Sequence, residues 1–204
     1  HRLIRRQRQM CIRDRMKDIY EPAEDSFFLS EFVKREVKKS KPKKILDMGS
    51  GSGIQAKTCI DSGADSKNLT LVDINERAIR ELKKKFPKSR IIHSDMFQNL
   101  NKEKFDLIIF NPPYLPKNKY DKEKDTTGGN KGGEIINRFL NQIKKYLSKN
   151  GKVLLLTSSF TKGIKWPCSD LITRRLLGKK KLFFEELYVW GLSFNVSPAN
   201  FLFY

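Results

Sequence analysis

The chain has 204 residues, 38% of them hydrophobic, which is typical of one globular domain. Its longest apolar runs are too short to cross a bilayer, so we expect neither a membrane-spanning segment nor a membrane partner. Lysine and arginine number 42 against 23 acidic residues, and the resulting charge of +19 favours either a polyanionic partner such as nucleic acid or an ordinary lysine-rich surface.

The first fifteen residues differ in composition from the rest of the chain. They read HRLIRRQRQMCIRDR, with six arginines and no lysine, and they show no apolar period. The run from Met10 to Arg15 resembles the translation of a sequencing-adapter DNA. We interpret residues 1–15 as an artefactual or disordered segment, with a basic RNA-contacting arm as the alternative. We therefore expect one domain over residues 16–192 and an unassigned tail over 193–204.

Apolar periodicity predicts alternating helices and strands in the remaining chain. The first helix begins at Asp25, ends near Lys39, and carries apolar residues at Phe27, Phe28, Phe32 and Val33. Further helices are predicted at Ile54 to Ile60, Asn75 to Phe86, Glu134 to Leu147 and Leu171 to Leu177. Strands are predicted at Lys43 to Met48, Leu69 to Val72, Arg90 to His93, Phe105 to Phe110, Lys152 to Leu156, Lys181 to Phe184 and Leu187 to Leu192. This alternation indicates an α/β fold in which helices cover both faces of a seven-stranded, mostly parallel sheet.

A glycine-rich turn follows the first predicted strand. Asp47 precedes three glycines, Gly49, Gly51 and Gly53, which let the backbone turn tightly and approach a ligand closely. The G-x-G-x-G spacing differs from the G-x-G-x-x-G of dinucleotide enzymes, and no lysine follows as it does in a P-loop. The turn therefore predicts a nucleoside site that does not bind a chain of phosphates.

Two further acids follow the next two predicted strands. Asp73 ends the second strand, where a carboxylate can accept hydrogen bonds from both hydroxyls of a ribose. Asp95 follows the third strand and can accept from an adenine amino group, while Met96 and Phe97 cover the ring. Together with Asp47, these acids predict an adenosyl site without phosphates, and so S-adenosylmethionine as the cofactor.

The tetrapeptide Asn111-Pro112-Pro113-Tyr114 stands at the end of the fourth predicted strand, where open α/β sheets bind ligands. The prolines fix the backbone, so the turn presents the side-chain oxygen of Asn111 and the carbonyl of Pro112. These two oxygens can accept both N–H bonds of one planar amino group, and Tyr114 can stack on that group. A glutamine amide, an adenine and a cytosine all fit this pattern.

The chain resembles the HemK-like glutamine N5-methyltransferases, which are class I S-adenosylmethionine-dependent methyltransferases with a Rossmann-like fold. The resemblance rests on four features: the string YEPAEDS over residues 20–26, the turn from Asp47 to Gly53, the acids Asp73 and Asp95, and the NPPY turn. YEPAEDS, the glycine-rich segment 128–134 and the segment 180–189 are similar to the archaeal and eukaryotic branch. That branch methylates the glutamine of the GGQ motif in class 1 peptide-release factors.

The resemblance assigns a role to each matching residue. Ser26, Asp47, Gly49 and Gly51 would hold the methionine end and ribose of the cofactor, Asp73 the ribose and Asp95 the adenine. Asn111 would contact both cofactor and substrate, with Pro112, Pro113 and Tyr114 on the substrate side. The loop at Gly128 and Gly129 would shape the substrate entrance. Relatives usually have threonine where Ser26 stands, and the segment 161–178, with Trp166-Pro167-Cys168, departs from their pattern.

The resemblance also implies a partner. Members of this branch often pair with a small zinc-binding activator protein that adds a strand to the sheet. Here that strand would join at Arg90 to His93, an expected edge strand. Three cysteines without a CxxC pair fit a reducing, cytoplasmic location, and we expect no metal site in this chain.

Two other functions remain open on sequence alone. The first is an adenine-N6 methyltransferase acting on DNA or RNA, which the basic charge favours. The second is a catalytically idle RNA-binding module that keeps the fold. The absence of a separate target-recognition domain argues against the first, and the intact acids and NPPY turn argue against the second.

Overall fold

The computed structural model describes residues 19–115, 132–168 and 170–195. Helices in these ranges are α1 (Glu24–Ser40), α2 (Ile54–Asp61), α3 (Glu76–Lys85), α4 (Glu134–Leu140) and α5 (Ile143–Tyr146), with a 3-10 turn at Ser66–Asn68. Strands are β1 (Ile45–Met48), β2 (Leu69–Asp73), β3 (Arg90–His93), β4 (Phe105–Phe110), β5 (Leu147–Ser158), β6 (Ile172–Lys181) and β7 (Glu186–Phe194).

The seven strands form one sheet in the order β3-β2-β1-β4-β5-β7-β6. Strands β1 to β5 are mutually parallel, whereas β7 pairs antiparallel with both β5 and β6. The predicted class is confirmed: this is a Rossmann-like sheet of the class I methyltransferase type. The chain order reverses next to β1, and the ends of β1 and β4 therefore border the crevice in which such sheets bind ligands.

Both faces of the sheet are covered by apolar side chains. One core contains Phe97, Phe110 and Phe139 between the sheet and α4. The other contains Leu29 and Val33 from α1, packed on the opposite face with residues of α2 and α3. The central strands are buried from end to end, which explains why their sequences are continuous apolar runs and not alternating ones.

The first helix confirms the sequence prediction in extent but not entirely in its apolar face. Phe28, Phe32 and Val33 are buried, whereas Phe27 is 55% exposed. The reason is geometric: at about 100° per residue, Phe28, Leu29, Phe32 and Val33 share one broad face of the helix, and Phe27 points to the opposite side. The helix ends at Lys41, whose left-handed backbone (φ 46°) lets its N–H donate to Val37.

Three element predictions near the C-terminus are wrong. The segment Leu171 to Leu177 is not a helix, because it belongs to β6, which pairs with β7 along most of its length. The segment Lys181 to Phe184 is not a strand but the turn between β6 and β7, closed by a 2.7 Å hydrogen bond from the N–H of Leu182 to the carbonyl of Glu185. The helix predicted over Glu134 to Leu147 divides into α4 and α5, and Leu147 begins β5.

Candidate active site

A cavity of about 450 Å³ opens at the carboxyl ends of β1, β2 and β4. The structure brings ten of the predicted site residues to its wall: Ser26, Asp47, Gly49, Gly51, Asp73, Asp95, Asn111, Pro112, Pro113 and Tyr114. The two remaining ones, Gly128 and Gly129, lie outside the described residues. Residues that are spread over nearly ninety positions of the sequence thus lie together around one cavity.

The glycine-rich turn is held by the acid at the end of β2. One carboxylate oxygen of Asp73 accepts the backbone N–H of Gly51 at 2.7 Å, and the other accepts that of Asn75 at 2.8 Å. Gly51 has a left-handed backbone (φ 51°) that most side chains disfavour. Gly53 is also left-handed, and a side chain there would collide with Phe86. Asp73 therefore fixes the turn in addition to facing the cavity.

Asp47 is a buried carboxylate with an unused acceptor. Its side chain is 2% exposed, and Oδ2 has no hydrogen-bond partner among the described residues. The pKa of Asp47 is raised to about 7: burial is the largest cause and the nearby Asp73 carboxylate adds to it, while hydrogen bonds from Ser50 and Ala56 lower the pKa. Such a group is stabilised in its charged form by a cationic ligand.

Asp95 forms a different contact from the one that sequence alone suggests. Its Oδ2 accepts a 2.7 Å hydrogen bond from Arg138 of α4, so the carboxylate is paired across the mouth of the cavity. The next residue, Met96, has a left-handed backbone (φ 51°). This conformation is uncommon for residues other than glycine, and such residues cluster at functional sites. Arg138 also lines the cavity, and the sequence analysis did not identify it.

The NPPY turn contains an unsatisfied acceptor, in a residue that lines the cavity. The Nδ2 group of Asn111 donates to Asp25 at 3.1 Å and to the hydroxyl of Ser26 at 3.4 Å. Its other side-chain atom, Oδ1, is buried and has no partner among the described residues. An unpaired buried carbonyl is costly, by about 1–3 kcal/mol, so the position is suited to an incoming N–H donor.

Asp25 is a second residue that sequence reasoning missed. It is 5% exposed and accepts hydrogen bonds from four neighbours: the hydroxyl of Tyr20 (2.9 Å), the backbone N–H of Ser26 (2.6 Å), Nδ2 of Asn111 and the hydroxyl of Tyr114 (3.3 Å). Asn111 lies 86 positions away in sequence. The available signal was the acid inside the YEPAEDS string, which was interpreted only as the start of a helix.

Tyr114 is held as a neutral phenol. Burial raises the pKa of its hydroxyl far above the ordinary value, and the neighbouring Asp25 and Glu185 carboxylates raise it further. Its backbone carbonyl accepts a 3.1 Å hydrogen bond from Thr161, which follows β5. Tyr114 can therefore donate a proton in a hydrogen bond to Asp25 but cannot act as a base.

A sheet of this order, with a glycine turn, acids after successive strands and an NPPY turn, defines an S-adenosylmethionine-dependent class I methyltransferase. The chain belongs to the methyltransferase small domain family, whose model matches residues 25–174. The matched segment includes every predicted site residue.

Two relatives show the range of substrates among similar chains. A protein of Methanocaldococcus jannaschii with the provisional name protein N5-glutamine methyltransferase is 36% identical over 186 residues, which covers 84% of this chain and 90% of that protein. A tRNA1(Val) (adenine(37)-N6)-methyltransferase of a Flavobacteriaceae bacterium is 30% identical over 169 residues, which covers 80% of this chain and 68% of that protein.

A solved structure shares the fold over almost its whole length. The Mtq2 protein of E. cuniculi, determined in a complex with Trm112 that methylates the termination factor eRF1, superposes with a TM-score of 0.65 at 23% identity. The superposition covers 86% of this chain and 98% of that one. In the described residues, no helix of this chain is long and apolar enough to cross a membrane.

Proposed function

We propose that this chain transfers a methyl group to the side-chain nitrogen of a glutamine, the one in the GGQ motif of a class 1 peptide-release factor. The observation that carries the proposal is that Asn111 lines the cavity and that its buried Oδ1 has no hydrogen-bond partner among the described residues. A primary amide offers two N–H donors in one plane, which matches Oδ1 together with the carbonyl of Pro112.

The cavity fits S-adenosylmethionine in both size and chemistry. Its volume of about 450 Å³ lies within the range of small-molecule sites. The unpartnered oxygen of buried Asp47 suits the cationic amino-acid end, and the turn at Gly49 and Gly51 allows a ligand to approach the backbone closely. Asp73 would hold the ribose, Asp95 the adenine edge, and Ser26 the methionine end. When bound, this cofactor supplies an electrophilic methyl group on a positively charged sulfur.

The residues of the chain act on the acceptor by orienting it. An amide nitrogen is a poor nucleophile because its lone pair is delocalised into the carbonyl. Oδ1 of Asn111 and the carbonyl of Pro112 fix both N–H bonds, and they stabilise the positive character that develops on the nitrogen as it gains the methyl group. The nitrogen then releases one of its two protons to solvent, which leaves a neutral N-methyl amide. Asp25 holds the amide of Asn111 by its Nδ2 end, so that Oδ1 is the atom left for the acceptor. The neutral Tyr114 ring excludes water from one side.

Methylation of an adenine amino group is the second candidate. The NPPY geometry accepts any planar amino group, and a tRNA adenine-N6 methyltransferase is among the relatives. Identity and coverage are both higher for the relative named for glutamine, at 36% and 90% of its length, than for the adenine enzyme, at 30% and 68%. The YEPAEDS string also supports glutamine, and the charge of +19 supports a nucleic-acid contact for either substrate.

A small zinc-binding activator protein is proposed to bind at β3. This strand has one neighbour in the described sheet, β2, and its residues are exposed or only half-buried. An edge of this kind presents unpaired backbone groups and accepts an added strand. The E. cuniculi protein of the same fold was solved with a partner, Trm112. Full solubility and full activity of the chain expressed alone would contradict this assignment.

The deciding experiment offers the purified chain several acceptors together with labelled S-adenosylmethionine. We expect label on a class 1 release factor, and no label on the same factor with its GGQ glutamine changed to alanine. Duplex DNA and tRNA serve as competing acceptors, assayed with and without the activator. Label on adenine in place of glutamine would establish the second candidate.

A further inference from the structure

An exposed apolar surface lies next to the NPPY turn, and none of the residues assigned above uses it. It consists of Phe160, Phe183 and Phe184, which are 41%, 82% and 60% exposed. We call these three side chains the aromatic shelf. The ring centroids of Phe183 and Phe184 are 5.9 Å apart, and exposed apolar side chains that form a group mark interaction sites.

The shelf lies at the same edge of the sheet as the cavity. Strand β7 runs antiparallel to β5, so the β6–β7 turn that carries Phe183 and Phe184 meets the carboxyl end of β5. The backbone N–H of Ser159 donates to the carbonyl of Glu186 at 2.8 Å, which joins the segment containing Phe160 to the start of β7.

Hydrogen bonds link the shelf to the candidate active site. Thr161, next to Phe160, donates to the backbone carbonyl of Tyr114 at 3.1 Å. Ser158 donates to the carboxylate of Glu185 at 2.8 Å, next to Phe184. Thr161 thus joins the segment that carries Phe160 to the NPPY turn, and Ser158 joins that segment to the one that carries Phe184.

Positive charge borders the shelf. Lys179 and Lys181 are exposed at the end of β6, and neither forms an ion pair within the part of the chain that the structure describes. Lys180 between them is occupied, since it lies 3.6 Å from Glu24 of α1. The carboxylates of Glu185 and Glu186 lie nearby, but in the described residues Glu185 accepts from Ser158 and Glu186 from Tyr188, and neither forms an ion pair with these two lysines.

We propose that the aromatic shelf and its lysine border form the docking site for the body of the methyl-accepting protein, through an apolar patch flanked by acidic side chains. An apolar centre with a charged rim is the usual anatomy of a protein–protein interface. A single-stranded nucleic acid would instead need a continuous cationic track beside its stacking rings, and the experiment below includes RNA as the competing occupant. The inference rests on the proposed function, because it concerns where that acceptor protein binds.

The test separates docking from chemistry with two acceptors, a whole release factor and a short peptide that contains its GGQ glutamine. The variants are Phe183→Ala with Phe184→Ala, and Lys179→Glu with Lys181→Glu. Matched controls are Leu171→Ala and Lys149→Glu. These exposed residues lie near the starts of β6 and β5, at the ends of the strands that are away from the shelf. Calorimetric affinity for S-adenosylmethionine and the melting temperature verify that the fold and the cavity are intact.

We expect kcat/KM for the whole factor to fall about tenfold or more in both shelf variants, with kcat/KM for the peptide unchanged and the controls like the parent. Full activity of the variants on the whole factor, or an equal loss on factor and peptide, would overturn the docking site alone. Loss of binding to a labelled single-stranded RNA with unchanged activity on the factor would also overturn it. A parent chain that methylates neither protein acceptor would instead refute the proposed function, and the docking site with it.

Discussion

The two halves of the cavity are held by different kinds of interaction. On the side of β1 and β2, the wall is backbone fixed by a neighbouring acid, as Asp73 accepts the N–H groups of Gly51 and Asn75. On the side of β4, the wall is a side chain, Asn111, fixed by Asp25 from a helix at the start of the described chain. The first arrangement is local to two adjacent strands, and the second joins distant parts of the sequence.

This difference separates binding from chemistry. A backbone wall with satisfied hydrogen bonds holds a ligand in a constant position but offers little that changes during a reaction. A side-chain carbonyl that is oriented yet unpaired can gain its hydrogen bond as charge develops on the acceptor nitrogen. We therefore expect substitutions on the β1–β2 side to reduce cofactor affinity, and substitutions on the β4 side to reduce turnover.

The largest effect is expected for Asn111→Ala. Without Oδ1, one of the two acceptors for the amide N–H bonds is lost, so methyl transfer should slow by about 10²–10³-fold. Cofactor affinity should change far less, because Asp73 and the glycine turn remain. Single-turnover kinetics at saturating cofactor isolates this step, and Asn141→Ala, at an exposed position after α4, is the matched control.

Asn111→Asp sharpens the same comparison. The substitution keeps an acceptor oxygen but adds a negative charge near the site of a cationic cofactor, so cofactor binding can tighten while transfer slows. If the alanine variant transferred methyl at the rate of the parent, Asn111 would be only a turn residue, and the proposed chemistry would lose its main support.

Asp25→Asn is expected to have the next largest effect. Asparagine keeps the size of the side chain but has one acceptor oxygen in place of two, so Asn111 and Tyr114 compete with Tyr20 and Ser26 for it. The amide of Asn111 then loses its fixed direction, and kcat should fall about 10–10²-fold with little change in KM for the cofactor. Glu31→Gln is the control, since Glu31 is an exposed residue of the same helix. An equal change in kcat and cofactor affinity would indicate that Asp25 only supports the fold.

The contrast between the halves also explains what sequence could predict. Asp73 and Asp95 were assigned to one edge because acids that follow parallel strands share that edge. Asp25 was not assigned, because its partner Asn111 is fixed by the way α1 packs on the sheet. The helix predicted over Leu171 to Leu177 failed for a related reason: pairing with β7 decides the structure of this segment, and its local pattern does not reveal that partner.

Asp73→Ala tests the backbone side. Removing the carboxylate leaves the N–H groups of Gly51 and Asn75 without their acceptor and removes the proposed partner of the ribose. We expect cofactor binding to weaken by about 1–3 kcal/mol, and the free energy of unfolding to fall by a similar amount. Calorimetry and thermal unfolding measure the two effects.

Asp61→Ala, which breaks an exposed pair with Lys57, should change neither quantity by more than a few tenths of a kcal/mol. Unchanged affinity in the Asp73 variant would remove that residue from the site.

The smallest effect concerns a proton on Asp47. Its pKa is about 7 in the folded chain against 3.8 ordinarily, so between these pH values the unfolded chain has lost a proton that the folded chain still holds. The stability of the ligand-free protein should therefore fall as pH rises through this window, and Asp47→Asn should flatten that slope.

A cationic cofactor favours the charged carboxylate of Asp47, so cofactor binding near pH 6 should release up to about one proton. Calorimetry in buffers of different ionisation enthalpy counts the released protons. The same release in the asparagine variant would show that another group titrates, and that the unpaired oxygen of Asp47 does not face the positive end of the ligand.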